Sequence, residues 1–210
     1  PELISKIVSV EKKHFKKLEY NNIQVCVANS AIFYSMICLL NTRESVMLPK
    51  PYFPTYFAAS NFLNLKKCYY ELKFENYFKP DVQKIIDYLN KYKVKLLIIN
   101  NPSNPTGVKY DYEIISDLIK YCQNKNITIF FDEVYFKTVF EGSKETILSS
   151  IKSLKNIIIL RSFSKEYFMT GWRIGYLIGD QDIINKIKLT NETIMSCLPT
   201  FIQSAAIRAL

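Results

Sequence analysis

Histidine occurs once in this sequence, at position 14, and arginine only at 43, 161, 173 and 208. With a single imidazole, a His-rich metal site lacks its ligands, and a Ser-His-Asp triad or a Cys-His pair is hard to assemble. His14 stands in a Lys-rich stretch that reads as helical, which predicts an exposed helix residue. Long apolar runs are missing too: none approaches the roughly 18 residues that would suggest a membrane span. The first residues, a mixed run with Lys6, Lys12 and Lys13, do not read as a signal peptide. The expectation is a cytoplasmic protein, with an organelle left open, and no membrane partner. The five cysteines, Cys26, Cys38, Cys68, Cys122 and Cys197, form no Cys-x-x-Cys pair and are odd in number. That predicts reduced thiols in an intracellular compartment rather than a disulfide framework or a zinc site. The net charge is +9, but the lysines are spread along the whole chain without a basic cluster. They read as ordinary solvated faces, with no nucleic-acid partner.

What is present is enough apolar material, 49% of 210 residues, for a large core in one domain. Short apolar runs suited to buried strands recur at 23–27, 45–48, 67–72, 94–100, 127–131, 156–160 and 174–178. Helical patterns lie between most of them. At 111–123, Ile114, Ile115, Leu118, Ile119 and Cys122 fall on one face, and Asp111 is placed to cap the start. At 80–92, Pro80 stands near the start, and Val82, Ile85, Ile86 and Leu89 form the apolar stripe. This strand-helix rhythm predicts an α/β fold of three layers, a mostly parallel sheet covered by helices on both faces. No repeat, low-complexity linker or internal boundary interrupts it.

In such a sheet, ligands sit beyond the carboxyl ends of the strands. After the run 94–100 comes NPSNPTG, a turn-rich loop carrying Asn104. After 127–131 comes DEVY, with Asp132 and Tyr135. After 156–160 comes RSFSK, with Ser162 and Lys165. Three successive strands thus deliver an amide, a carboxylate with a phenol, and a lysine to one edge.

Pyridoxal phosphate is a chemistry that needs all of these. Held as an imine on a lysine, it requires a carboxylate beside its ring nitrogen, donors on its phenolic oxygen, and hydroxyl, arginine and helix N-terminal groups for its phosphate. Lys165 fits the imine, Asp132 the nitrogen, Tyr135 and Asn104 the phenolic oxygen, and Ser162 and Arg173 the phosphate.

The stretches NNPSNPTG, FDEVY and SFSKEYFMTGWRIGY, in this order and spacing, resemble the large domain of class I and II aminotransferases, the aspartate aminotransferase-like enzymes of fold type I. The resemblance covers nearly the whole chain. It implies that residues 1–210 are the cofactor-binding portion of a longer chain, with pyridoxal 5'-phosphate as cofactor. It also implies amino acid and 2-oxo acid substrates and a homodimer. On this likeness Lys165 forms the internal aldimine and moves the proton at Cα, Asp132 partners the pyridinium nitrogen, and Phe53, in PKPYFPTY, stacks on the cofactor. A β-lyase, a cyclising synthase or a non-catalytic cofactor-binding domain of the same fold are the alternatives. One departure stands out. Where the family usually has a glycine-containing turn under the phosphate, this chain has Val27, Ala28 and Asn29, and a side chain there is expected to crowd the phosphate or stiffen the loop. The arginine that clamps the substrate's carboxylate in the family would lie beyond Leu210, and the N-terminal arm before Pro1.

Overall fold

In a computed structural model, which describes residues 2–140 and 145–210, all seven apolar runs become strands of one sheet. They are β1 (Ile23–Cys26), β2 (Ser45–Lys50), β3 (Lys66–Glu71), β4 (Val94–Asn100), β5 (Thr128–Asp132), β6 (Ile157–Ser162) and β7 (Gly175–Gly179). The strand order is β1-β7-β6-β5-β4-β2-β3. β7 runs antiparallel to both of its neighbours, and the other pairings are parallel. The helices are α1 (Glu2–Glu11), α2 (Ala28–Leu39), α3 (Pro54–Phe62), α4 (Val82–Lys91), α5 (Ser116–Asn124), α6 (Ile147–Ser150), α7 (Phe163–Glu166), α8 (Gln181–Met195) and α9 (Thr200–Ala209).

Each apolar strand is divided by its two-residue period between two cores. Val46, Leu48, Leu96, Ile98, Phe130, Ile158 and Leu160 face one side, where Ile32 and Met36 of α2, Tyr56 and Ala59 of α3, and Ile183, Ile184 and Ile187 of α8 cover them. Met47, Leu97, Ile99, Ile129, Phe131, Ile157 and Ile159 face the other, under Leu3 and Ile7 of α1, Ile85 and Leu89 of α4, and Leu118, Ile119 and Cys122 of α5. Burying one such side chain contributes roughly 1.5–3 kcal/mol. A continuous apolar run is therefore what a strand buried on both faces requires.

Two local expectations are corrected. The 111–123 helix begins as a 3-10 turn over Tyr112–Ile115, with no cap bond from the Asp111 side chain. The tighter winding turns Ile114 outward, where it is 38% exposed. His14 is not an exposed helix residue either. α1 stops at Glu11, and the half-buried His14 ring lies in the following turn, its Nδ1 3.0 Å from Ser149 Oγ. Burial lowers its pKa. The second predicted helix holds: Ile85 and Leu89 are buried, and the Asp81 side chain, one residue after Pro80, accepts from the Lys84 amide.

Candidate active site

The loop after β4 is fixed by asparagine side chains that replace missing backbone partners. Asn100 donates to the carbonyls of Asp132 and Pro102 and accepts from the Asn104 amide at 2.7 Å. Asn101 closes the loop by pairing with both the N–H and the C=O of Tyr110. Gly107, at φ +71°, takes the left-handed turn between them. Asn104 is thereby carried on a loop tied to the end of β5.

Asp132 ends β5 and is 5% exposed. Tyr56 of α3 donates its hydroxyl to Asp132 Oδ2 at 2.5 Å, and the Val134 amide donates to Oδ1 at 3.2 Å. Among the described residues no cation pairs with this carboxylate, and burial pushes its pKa up to about 6 against those two hydrogen bonds. Tyr135 follows in the turn beyond β5. The Nζ of Lys165 lies 5.7 Å from the centroid of the Tyr135 ring.

At the end of β6, Ser162 caps the short helix α7, its hydroxyl accepting from the Ser164 amide at 3.2 Å. Lys165 sits on that helix. Across from it α2 starts at Ala28, with Val27 as N-cap at φ −75°, an angle that needs no glycine. Val27 packs into the core on the far side of the sheet and is not among the residues that line the cleft. The Val27 side chain is thus turned away from the cleft, toward the core. Ala28 does face the cleft, and β7 carries a glycine opposite it: a Cβ built on Gly175 would come 3.0 Å from that of Ala28 and 2.5 Å from the Arg161 carbonyl. The first amides of α2 have no intrahelical partner, and the Asn29 side chain accepts from Thr55 at 3.0 Å. Arg173, exposed and at φ +53°, donates to the Thr170 carbonyl. Phe53, at the start of α3, meets Tyr56 edge to face, ring centroids 5.7 Å apart.

These positions converge. One cleft of about 440 Å³ is lined by Ala28, Asn29, Phe53, Asn104, Asp132, Tyr135, Ser162, Lys165 and Arg173 together with Asn100 and Ser164. Two further residues that bear on the site were missed in the sequence. Tyr56 is one: it reads as a core aromatic, and 76 residues separate it from Asp132. The other is Glu133, fully buried, which accepts from Tyr112, Arg161, Thr146 and the Ile147 amide. Arg161, also fully buried, is held between Glu133 and Glu11 with its guanidinium 3.7 Å from the Phe136 ring centroid. It is structural, as its place at a strand end suggests, and does not line the cleft. The only clue in the sequence was two charged residues, Glu133 and Arg161, each beside a site residue in an otherwise apolar strand context.

Comparison with known proteins agrees with this architecture. The chain matches the family model for aminotransferase class I and II over residues 1–210. It is 36% identical over 196 residues to a probable aspartate aminotransferase of Methanocaldococcus jannaschii, an alignment covering 90% of this chain and 51% of that one. It is 33% identical to an aspartate aminotransferase of Bacillus subtilis, over 82% of this chain and 45% of that one. The crystal structure of an aspartate aminotransferase from Thermotoga maritima superimposes with a TM-score of 0.93 at 28% identity, covering 99% of this chain and 56% of that one. An aromatic aminotransferase from Pyrococcus horikoshii gives 0.91 at 27% identity, covering 99% and 56%. The chain thus spans about half the length of the relatives it matches. A mostly parallel sheet, a polar cleft at its strand ends and a match along all 210 residues lead to one assignment: the chain belongs to the class I and II aminotransferase family.

Proposed function

We propose that this chain is the cofactor-binding portion of a pyridoxal phosphate-dependent aminotransferase that moves an amino group between an amino acid and a 2-oxo acid. One observation carries the reading: Lys165, Asp132, Tyr135 and Asn104 line a single cleft at the ends of β4, β5 and β6.

The residues present fit the cofactor. Asp132 is buried, lacks a cationic partner among the described residues, and has its pKa pushed up to about 6 by burial; a protonated ring nitrogen would supply the missing positive charge. The free amides that open α2, the Ser162 hydroxyl and the Arg173 guanidinium suit a phosphate dianion. When bound, pyridoxal phosphate supplies an electron sink that acidifies the Cα–H of an amino acid. Around it, Lys165 would hold the cofactor through its amine and, once released, carry a proton to and from Cα. Tyr135 and Asn104 would donate toward the phenolic oxygen, and Phe53 would cover one face of the ring, excluding water there. Amino acid and 2-oxo acid are the substrates on this reading, and the assembly is a homodimer, which light scattering of the full-length protein checks.

The test is borohydride reduction of the full-length protein in the presence of pyridoxal phosphate, followed by peptide mapping. Label on the Lys165 peptide is expected, and label confined to another lysine would overturn the assignment. A screen of amino donors against 2-oxo acids then decides the reaction. Release of a keto acid without amino transfer would replace transamination by elimination.

A further inference from the structure

α7 carries Lys165 but spans only four residues. A helix this short has almost no stability of its own. Its backbone closes one full turn, Tyr167 N–H to Phe163 C=O at 3.0 Å, and Ser162 caps its start. What fixes its far end is a side chain, Glu166. That carboxylate is 1% exposed and lies 2.8 Å from Lys137 Nζ. Lys137 stands two residues beyond Tyr135, in the turn that follows β5. It also donates to the Tyr167 hydroxyl at 2.7 Å and lies 4.7 Å from the Tyr167 ring centroid and 5.2 Å from that of Phe136.

We propose that the Glu166–Lys137 ion pair is a strut that positions Lys165 against Tyr135, by tying the helix that bears the first to the turn that bears the second. Glu166 and Lys137 are positioning residues and touch no reactant. Neither lines the cleft. The inference rests on the proposed function for its chemical meaning, though the strut itself is a matter of geometry.

The environment makes this pair sensitive to substitution. Glu166 faces Lys137 from the β5 turn, Arg161 from β6, Glu11 from α1 and Tyr176 from β7, and among the described residues its Oε1 has no hydrogen-bond partner. Burial pushes its pKa up to about 7 against Arg161 and Lys137. On the Lys137 side, burial opposes the charge, but Glu166 and the Tyr167 hydroxyl together outweigh it and raise the pKa. At a separation of 2.8 Å in a mostly buried site, the two groups form an ion pair. Losing either partner strands a buried group, which can relieve itself by moving α7.

The test uses the full-length protein with three variants, Glu166→Ala, Lys137→Met and Glu166→Gln. The first readout needs no cofactor: the rate at which acetic anhydride modifies Lys165 relative to other lysines, followed by mass spectrometry. Glu166→Ala and Lys137→Met are expected to change it about threefold or more, and Glu166→Gln, which keeps an acceptor for Lys137, much less. The second readout is the protein loaded with pyridoxal phosphate. There the pH midpoint of the visible absorption band should move by about 0.5 in the two disruptive variants, and kcat should fall about tenfold with KM within about twofold. Lower thermal stability with labelling and midpoint unchanged overturns the strut, leaving the pair merely structural. If Glu166→Ala does not fold, Lys137→Met and Glu166→Gln decide by the same readouts. A wild-type protein that takes up no cofactor overturns the proposed function alone, and the labelling ratio still decides the strut.

Discussion

Asp132 and Glu133 are adjacent carboxylates, both buried, that enter opposite faces of the same sheet. Glu133 meets a guanidinium, two hydroxyls and an amide. Asp132 meets one phenol and one amide and, among the described residues, no cation. The neighbours in β6 divide likewise: Arg161 turns into the ionic cluster, and Ser162 into the cleft. A fully compensated charge stabilises the fold and offers nothing to a ligand, whereas an under-compensated one raises the energy of the empty site and lowers it again when a cation arrives. The pleat thus separates a structural carboxylate from a chemical one at consecutive positions.

The contrast breaks most severely at Arg161. Arg161→Met strands Glu133 and Glu11 in the interior and should cost about 3–5 kcal/mol in urea unfolding. A loss below about 1 kcal/mol would mean the cluster is not a structural keystone. Asp132→Asn should do the reverse. It should leave the fold intact and lower turnover of the full-length protein by about a thousandfold, measured in single-turnover assays with cofactor bound.

The pH dependence sharpens the same difference. Because the Asp132 pKa is raised on folding, from 3.8 to about 6, the folded state holds the proton longer than the unfolded one. Stability of the cofactor-free protein therefore falls as pH rises from about 4 to 6. Asp132→Asn lacks this slope, so its stability relative to wild type should improve across that window, by at most about 3 kcal/mol. Urea titrations of both proteins at pH 4.5 and 7 check the sign. The smallest effect is expected at Tyr56→Phe, which removes one hydrogen bond to Asp132 and should lower turnover about tenfold. Because Tyr56 is buried among apolar side chains, the variant should fold normally, as near-ultraviolet circular dichroism would verify.

How far the sequence could be read follows from which forces are local. Seven apolar runs gave seven strands, since two-sided burial leaves a continuous apolar signature. NPSNPTG, DEVY and RSFSK announced their strand ends because turn residues and polar groups stand directly after those runs. At Val27 the sequence did not reveal the direction of the side chain, since the backbone angle there suits any residue and only packing turns it toward the core. Ile114 misled because a 3.6-residue period was applied to a turn that winds more tightly.

By itself, then, the sequence determined the layers, the strand ends and which side chains those ends deliver, all consequences of periodicity and of residues adjacent along the chain. Only the tertiary structure decided the partners. Tyr56 reaches Asp132 because the strand order sets β2 beside β4 and β4 beside β5, bringing the helix after β2 over the end of β5. Arg161 neutralises Glu133, and Lys137 holds Glu166, because β5 and β6 pair in one register. Such contacts depend on strand order, register and side-chain direction together, and charge and hydrogen-bond compensation in the interior is settled only where those three are fixed.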